Sequence, residues 1–149
     1  MIYNRILVIA FIAWVGTQTA KMIIYAIINK KFSLERFFGD GGMPSTHSAV
    51  VASVATAAGL QCGWDSPLFA VAAILVFIVM HDAVGVRQET GKQAKAINNI
   101  MGILQARDRG ELTPEETLKE FVGHTGRQVL VGALGGVLTA VVMNMILPL

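Results

Sequence analysis

The segment with the clearest chemical character is GGMPSTHS, residues 41–48. Two glycines make the approach flexible, and proline is favoured at the first position of an α-helix. We therefore expect a helix to begin here, with the N–H groups of Ser45, Thr46 and His47 pointing out of its N-terminus. Such a terminus binds anions, because the N–H groups and the helix dipole both favour negative charge. His47 could supply a proton to a group that leaves the anion. An ordinary capped helix start with an incidental histidine would have the same sequence.

Two further segments carry side chains suited to the same chemistry. His124 lies in KEFVGHT, and Arg87 lies in DAVGVR, where Asp82 is placed to anchor a hydrogen bond. Histidine moves protons in catalysis, and cations stabilise the charge of a phosphoryl group. The isolated His81 is better explained as a structural or interfacial residue. The segments form one site only if the fold brings them together.

Four long apolar runs must position these segments. Hydrophobic residues make up 54% of the chain and charged residues 15%, against about 25% charged residues in soluble domains, so the composition favours a membrane protein. A helix needs about 20 residues to cross a bilayer core. The runs are Ile6–Ile28, Pro44–Cys62, Pro67–Val84 and Val129–Leu147. They predict an all-α, integral membrane bundle of about four transmembrane helices, in a single domain over residues 1–149.

The connections between the runs differ in length and character. Asn29–Met43 is a polar hinge and Gln61–Ser66 is a tight turn. Gly85–Gln128 is long and polar. It predicts one or two short interfacial helices, over about Glu89–Leu104 and over Pro114–Val122, the second with a capping box at its start. A signal peptide is an alternative for the first run, but cleavage there would leave another apolar stretch directly behind it.

Small residues indicate how the helices pack. Gly132 and Gly136 form a GxxxG step. A second small-residue stripe is formed by Ser48, Ala52, Ala55 and Gly59. Both features are typical of a helical bundle. The glycine step also makes a second copy of the chain a candidate partner.

A polar stripe interrupts the first apolar run. Gln18, Lys21 and Tyr25 are spaced so that they share one helix face, and we expect that face to point into the bundle. Lys21 could instead extend its side chain to the membrane interface.

Four crossings place the first and third connections on the same side of the membrane. The helix start at Pro44–His47, Arg87 and His124 can therefore converge, although they lie far apart in the sequence. Two histidines, several cations and a helix N-terminus favour phosphoryl transfer. A metal site is less favoured, because the carboxylates near this cluster are the scattered Asp82 and Glu120.

At this point the sequence resembles a known family. Pro44-Ser45-Thr46-His47 is similar to the Pro-Ser-Gly-His motif of the type 2 phosphatidic acid phosphatase and vanadium haloperoxidase superfamily, with threonine in place of the usual glycine. The strings GGMPSTHSA, DAVGVRQETGKQA and LKEFVGHT, in this order, resemble its divergent small membrane branch over about residues 21–129. The resemblance implies hydrolysis of phosphate esters through a phosphohistidine, with no metal cofactor, although magnesium dependence stays open.

The resemblance also implies roles for individual residues. His124 would be the nucleophile, and His47 would protonate the leaving oxygen and then deprotonate the attacking water. The family's orienting aspartate is replaced here by Gln128, so Asp82, in preference to Glu120, would hold His124. The implied phosphate-binding residues are Arg87, Ser45, Thr46, Lys21 and Arg36.

We therefore expect an integral-membrane lipid phosphate phosphatase that acts on phosphatidylglycerophosphate, phosphatidic acid or an isoprenoid diphosphate. The alternative is a non-catalytic membrane protein that binds anionic headgroups or protein partners through the same basic loops. Arg87 and His124 lie farther apart than in the superfamily motif, which supports that alternative. A nucleic-acid partner is not expected, because the net charge is only +2.

The distribution of charge predicts which side the site faces. Basic residues in short loops beside membrane helices collect on the cytoplasmic side. Of the 12 basic residues, the first and third connections hold ten and the second holds none, while Arg5 precedes the first helix. We expect a multi-pass protein of the inner (plasma) membrane, with the active site facing the cytoplasm and both termini outside.

Overall fold

The structure is a computed structural model that describes residues 4–30, 42–107, 118 and 124–147, with only the backbone of Arg87 and of residues 105–107. Within these residues all the regular structure is helical, which confirms the predicted fold class. The helices are α1 (Arg5–Asn29), α2 (Thr46–Cys62), α3 (Pro67–Val84), α4 (Val86–Arg107) and α5 (Gly126–Ile146). α3 has the bounds of its predicted apolar run, and the other helices begin or end within a few residues of theirs.

Polar caps determine where the helices begin. The side chains of Asn4, Ser45, Ser66 and Thr125 each accept a hydrogen bond from the backbone N–H three residues on. This bond satisfies one of the N–H groups that have no partner within a helix's first turn. α2 ends before Gly63, whose φ of 97° is a left-handed conformation that favours glycine. The tight turn predicted between the second and third runs follows from this residue.

Three helical segments of the described chain are long and apolar enough to cross a membrane: Arg5–Asn29, Pro67–Leu104 and Gly126–Ile146. The second segment contains α3 and most of α4. α2, which corresponds to the second of the four predicted spans, has 17 residues. Its length is therefore about 26 Å, a little less than the bilayer core of about 30 Å. Three spans meet the length requirement, and the shorter α2 packs among them.

α2 lies at the centre of the bundle, in contact with α1, α3 and α5. All of its buried residues are alanine, serine, threonine or glycine. α5 approaches most closely at Gly132 and Gly136, where an added Cβ would overlap the backbones of Ser45 and Ala49. Small residues permit such close approach of helix backbones in membranes. The glycine step is therefore occupied within the chain, and a second copy would have to dock on a different surface.

Large apolar side chains cover the outside of the bundle. Exposed examples from α1, α3 and α5 are Leu7, Phe11, Ile27, Val71, Ile74, Phe77, Ile78, Leu134, Leu138 and Met145. Soluble monomers rarely expose apolar surface on this scale, whereas lipid tails solvate it. This surface is typical of a membrane protein.

Contacts at the helix ends fix the direction of each helix. The N–H of Ser45 donates to the carbonyl oxygen of Gln128 at 3.0 Å, and the N–H of His124 donates to that of Ala83 at 3.0 Å. The start of α5 therefore meets both the start of α2 and the end of α3. At the opposite end, Arg5 of α1 contacts the last turn of α5. The first and third connections emerge together, as the four-run topology predicts.

α4 follows α3 after the single residue Gly85, and it extends the helix predicted over Glu89–Leu104 at both ends. Its polar side carries a Glu89–Lys92 ion pair of 2.6 Å. Its exposed apolar side chains are Ile97, Ile100, Ile103 and Leu104. This amphipathic character is typical of a helix at a membrane interface. The helix predicted over Pro114–Val122 lies outside the described residues.

Candidate functional site

The start of α2 differs in one respect from the sequence-based expectation. The helix begins at Thr46 and Ser45 is its N-cap, so the chain uses the Ser45 N–H rather than presenting it to an anion. That N–H donates to the Gln128 carbonyl oxygen of α5. The prediction that the N–H groups of Ser45, Thr46 and His47 all point outward is therefore wrong for Ser45, because α5 packs close enough to accept its hydrogen bond. The Thr46 and His47 N–H groups belong to the first turn of the helix.

The side chains of this turn are held firmly in place. The Ser45 hydroxyl oxygen, which is 0% exposed, accepts hydrogen bonds from the Ser48 hydroxyl at 2.9 Å and from the Ser48 N–H at 3.4 Å. The Thr46 hydroxyl donates to Gln18 Oε1 of α1 at 3.2 Å, and both residues are buried. Ser45 therefore shapes the turn, and Thr46 connects it to α1. Phosphate binding by either residue stays a prediction.

The polar stripe of α1 faces the bundle interior, as the helical spacing predicts. Gln18 and Lys21 are buried, Lys21 with only 8% of its surface exposed, and Tyr25 is half-buried. Full extension of Lys21 into the interface does not agree with this burial. A buried cation is costly unless anions or polar groups compensate it. Because Gln18 contacts Thr46, the stripe reaches the start of α2.

His124 is fixed beside the first turn of α5. It is 5% exposed, and its main chain is anchored to Ala83 of α3. Its ring Nδ1 lies 3.3 Å from Oε1 of Gln128. The same Oε1 accepts the N–H of Thr125 at 3.0 Å. Gln128 was not among the residues expected in the site, although the Thr125-x-x-Gln128 spacing of a capping box is visible in the sequence.

The remaining site residues are placed with different completeness. His47, in the first turn of α2, is exposed, and Asp82 at the end of α3 is half-buried next to the carbonyl that anchors His124. Arg87 lies at the start of α4, but its side chain is outside the described part of the structure. Arg36 and Glu120 lie wholly outside it. The roles of these five residues stay predictions.

The starts of α2 and α5 favour an anion where they meet, while α3 ends beside them with the opposite dipole. The N-termini of α2 and α5 meet here, and each helix N-terminus carries about half a positive charge. The buried cation Lys21 lies on the α1 stripe that reaches the same turn. Among the described residues, no group of three or more His, Cys, Asp or Glu side chains is arranged to hold a metal ion.

The fold and the site together define an all-helical membrane protein with a polar, buried cluster at one end of its bundle. Residues 2–139 match the family model described as the divergent PAP2 family, and the chain belongs to that family. It is 36% identical over 151 residues to a Bacillus subtilis (strain 168) protein described as the uncharacterized membrane protein YuiD, with 96% of each chain covered. No solved structure gives a significant match to the chain.

Proposed function

We propose that this protein is an integral-membrane phosphatase of lipid phosphates that acts through a phosphohistidine on His124. The observation that carries the proposal is the buried His124, held at the end of the bundle where the start of α5 meets the start of α2 at the Pro44–His47 turn. Membership in the divergent PAP2 family supports the same reaction class.

The proposed reaction has two steps. Nε2 of His124 attacks phosphorus, so that an N–P bond forms while the bond from phosphorus to the lipid oxygen breaks, and His47 gives that oxygen a proton. His47 then takes a proton from water as the water oxygen attacks phosphorus. The N–P bond breaks, which releases inorganic phosphate and restores His124. Lys21, Thr46 and the helix N-termini stabilise the phosphoryl oxygens, with Arg87 and Arg36 as further predicted ligands.

A lipid substrate suits this arrangement better than a water-soluble ester. The outside of the bundle is apolar along its length, so an acyl or isoprenoid chain can stay in the bilayer while its phosphate reaches the polar end. Phosphatidylglycerophosphate, phosphatidic acid and isoprenoid diphosphates all meet this requirement. If the site faces the cytoplasm, phosphatidylglycerophosphate is favoured, because it is made at that leaflet.

The experiment is phosphate release by purified protein from a panel of these lipid phosphates, in the presence and absence of a chelator. We expect turnover that resists the chelator and that vanadate inhibits, because vanadate mimics five-coordinate phosphorus. Turnover that requires magnesium would overturn the metal-independent mechanism. Lipid binding without turnover on any ester would favour the alternative, a protein that binds anionic headgroups or partners.

We also propose that the protein lies in the inner membrane with the polar end of its bundle facing the cytoplasm. This orientation can be tested in a Cys62→Ala background with single cysteines at the exposed positions Asp65 and Lys95. A membrane-impermeant maleimide added to intact cells should label position 65 and spare position 95. Permeabilised cells supply the control in which both positions react, and the reverse pattern in intact cells would contradict the cytoplasmic assignment.

A further inference from the structure

We infer that Gln128 is the positioning residue that sets the tautomer and orientation of the His124 ring, in the place where the superfamily uses a carboxylate. The inference deepens the proposed function and rests on it for the catalytic consequence. The contact itself, His124 Nδ1 to Gln128 Oε1 at 3.3 Å, is a feature of the structure.

The orientation of the Gln128 amide is determined by the helix start. Its Oε1 accepts the Thr125 N–H at 3.0 Å, and the Gln128 N–H returns a bond to the Thr125 hydroxyl oxygen at 3.4 Å. The amide nitrogen cannot replace Oε1 in this capping box, because two donors would then face each other. The atom that meets the imidazole is therefore an oxygen, which only accepts hydrogen bonds.

An acceptor at Nδ1 decides where the ring proton lies. A neutral imidazole carries one proton on one of its two nitrogens. Because Oε1 accepts, the proton is favoured on Nδ1 and the lone pair on Nε2. This is the tautomer that a nucleophile attacking through Nε2 requires. The capping box of α5 thus prepares His124 for reaction through a neutral amide oxygen.

Gln128 also connects the nucleophile to the phosphate-binding turn. Its carbonyl oxygen accepts the Ser45 N–H at 3.0 Å, while its side chain contacts His124. The main chain of His124 is independently anchored to Ala83. One residue therefore sets the ring and also fixes the α2 start relative to it. A substitution that keeps the backbone bond and changes only the side chain separates the two roles.

A neutral amide has a different effect on charge from a carboxylate. A carboxylate beside an imidazole favours the protonated imidazolium and raises the pKa of the ring. In Gln128→Glu the hydrogen-bond acceptor and the capping box are retained, but the negative charge of the glutamate should raise the pKa of the His124 imidazole. The acidic limb of the kcat/KM profile, which reports loss of the imidazolium proton, should therefore move to higher pH. The other titratable groups at this end, Lys21, His47 and Asp82, are unchanged in this variant.

The test compares Gln128→Glu, Gln128→Leu and Asp82→Asn with the wild type, all purified in detergent and checked for folding by thermal unfolding. We expect Gln128→Leu to lower kcat by about 10²-fold or more with little change in KM, because the ring loses its tautomer partner. Gln128→Glu should retain most activity with the shifted acidic limb. Asp82→Asn tests the sequence-based assignment, and a larger loss of kcat there than in Gln128→Leu would overturn the inference.

A second measurement does not need turnover. Nitrogen-15 NMR of labelled histidine distinguishes protonated from unprotonated ring nitrogens, and the His124 signal is identified by its absence in His124→Ala. The wild type should show Nδ1 protonated and Nε2 unprotonated at neutral pH, and Gln128→Leu should lose this preference. The opposite tautomer in the wild type, or no change in Gln128→Leu, would overturn the inference. Absence of phosphatase activity with the expected tautomer would instead count against the proposed function alone.

Discussion

The two ends of the bundle both contain polar side chains, but they use them differently. At the site end, the N-termini of α2 and α5 meet around Thr46 and His124. At the other end, the C-termini of the same helices meet, and Gln61 and Arg5 both reach Asn144. The dipoles of α2 and α5 favour an anion where their N-termini meet and a cation where their C-termini meet, while α1 and α3 run in the opposite direction. At the first end, two helix starts can bind an anion. At the second end, Arg5 of the same chain already supplies the cation at the end of α5.

Arg5 shows how the second end is closed. Its guanidinium donates to the carbonyl oxygens of Leu147 at 2.7 Å and Asn144 at 3.2 Å, in the last turn of α5. These are carbonyls that a helix C-terminus leaves without an intrahelical partner. Arg5 therefore stabilises the end of α5. This structural role explains why a basic residue lies at the end of the bundle that the charge distribution predicts to face the outside. At the site end, by contrast, the buried cation is Lys21, on the α1 face that contacts the start of α2 through Gln18.

The largest effect should come from His124→Ala. Loss of the nucleophile should reduce lipid phosphate hydrolysis to background, because no N–P bond can form. Steady-state phosphate release measures this loss. His81→Ala is the matched control, since His81 is an exposed histidine that stacks on Phe77 and lies outside the cluster. Equal losses of hydrolysis in His124→Ala and His81→Ala would contradict a catalytic role specific to His124.

His47→Ala should have the next largest effect. Loss of a general acid and base lowers a rate by about 10²–10⁴-fold. The decrease should be smallest for esters with good leaving groups, which need no protonation, and phosphate release from a series of aryl and alkyl esters measures it. A uniform decrease across the series would argue that His47 only binds substrate.

Gly132→Ala tests whether close packing of α5 on α2 holds the site together. A Cβ at this position would overlap the Ser45 carbonyl oxygen, so the helices must separate at the turn, at a cost of about 1–3 kcal/mol. Thermal unfolding in detergent measures the cost, and hydrolysis should fall as well. Gly135→Ala is the matched control, because nothing lies within 4 Å of its added Cβ. Similar behaviour of the two variants would contradict the packing argument.

The smallest effect on activity should come from Arg5→Met. This change keeps much of the apolar stem but removes the bonds to the α5 carbonyls, and it should lower the free energy of unfolding by about 1–2 kcal/mol. Because Arg5 lies at the opposite end from the site, kcat and KM should stay at wild-type values. A large fall in kcat at an unchanged unfolding temperature would show that the ends are not independent.

The sequence predicts the helices well where a local signal marks their ends. Ser66-Pro67 begins α3 as a capped helix start, and its apolar run continues to Val84, so prediction and structure agree. The role of α2 is harder to predict from sequence, because a buried central helix of small residues has a composition similar to that of a transmembrane span. Its central position depends on contacts with three other helices, and no local pattern records those contacts.

The site shows the same limit. The stripe of Gln18 and Lys21 and the convergence of His124 with the α2 start follow from helical spacing and the number of crossings. The use of the Ser45 N–H by α5 does not, because it depends on how closely Gly132 lets the helices approach. Sequence reasoning places Gln128 at the position of the orienting aspartate but prefers the carboxylate of Asp82, since an amide is a less obvious acceptor. The capping-box spacing of Gln128 was a second signal for its position beside His124.

The most direct test of the account is to trap the phosphorylated protein. Wild type and His47→Ala are mixed with lipid phosphate labelled in its phosphate group, quenched in alkaline detergent because phosphohistidine hydrolyses in acid, and mapped by mass spectrometry. We expect an acid-labile phosphoryl group on His124, at higher occupancy in His47→Ala if hydrolysis of the intermediate slows more than its formation. A label on His47 that persists in His124→Ala would contradict the assignment. Turnover without label on either histidine would contradict the covalent mechanism.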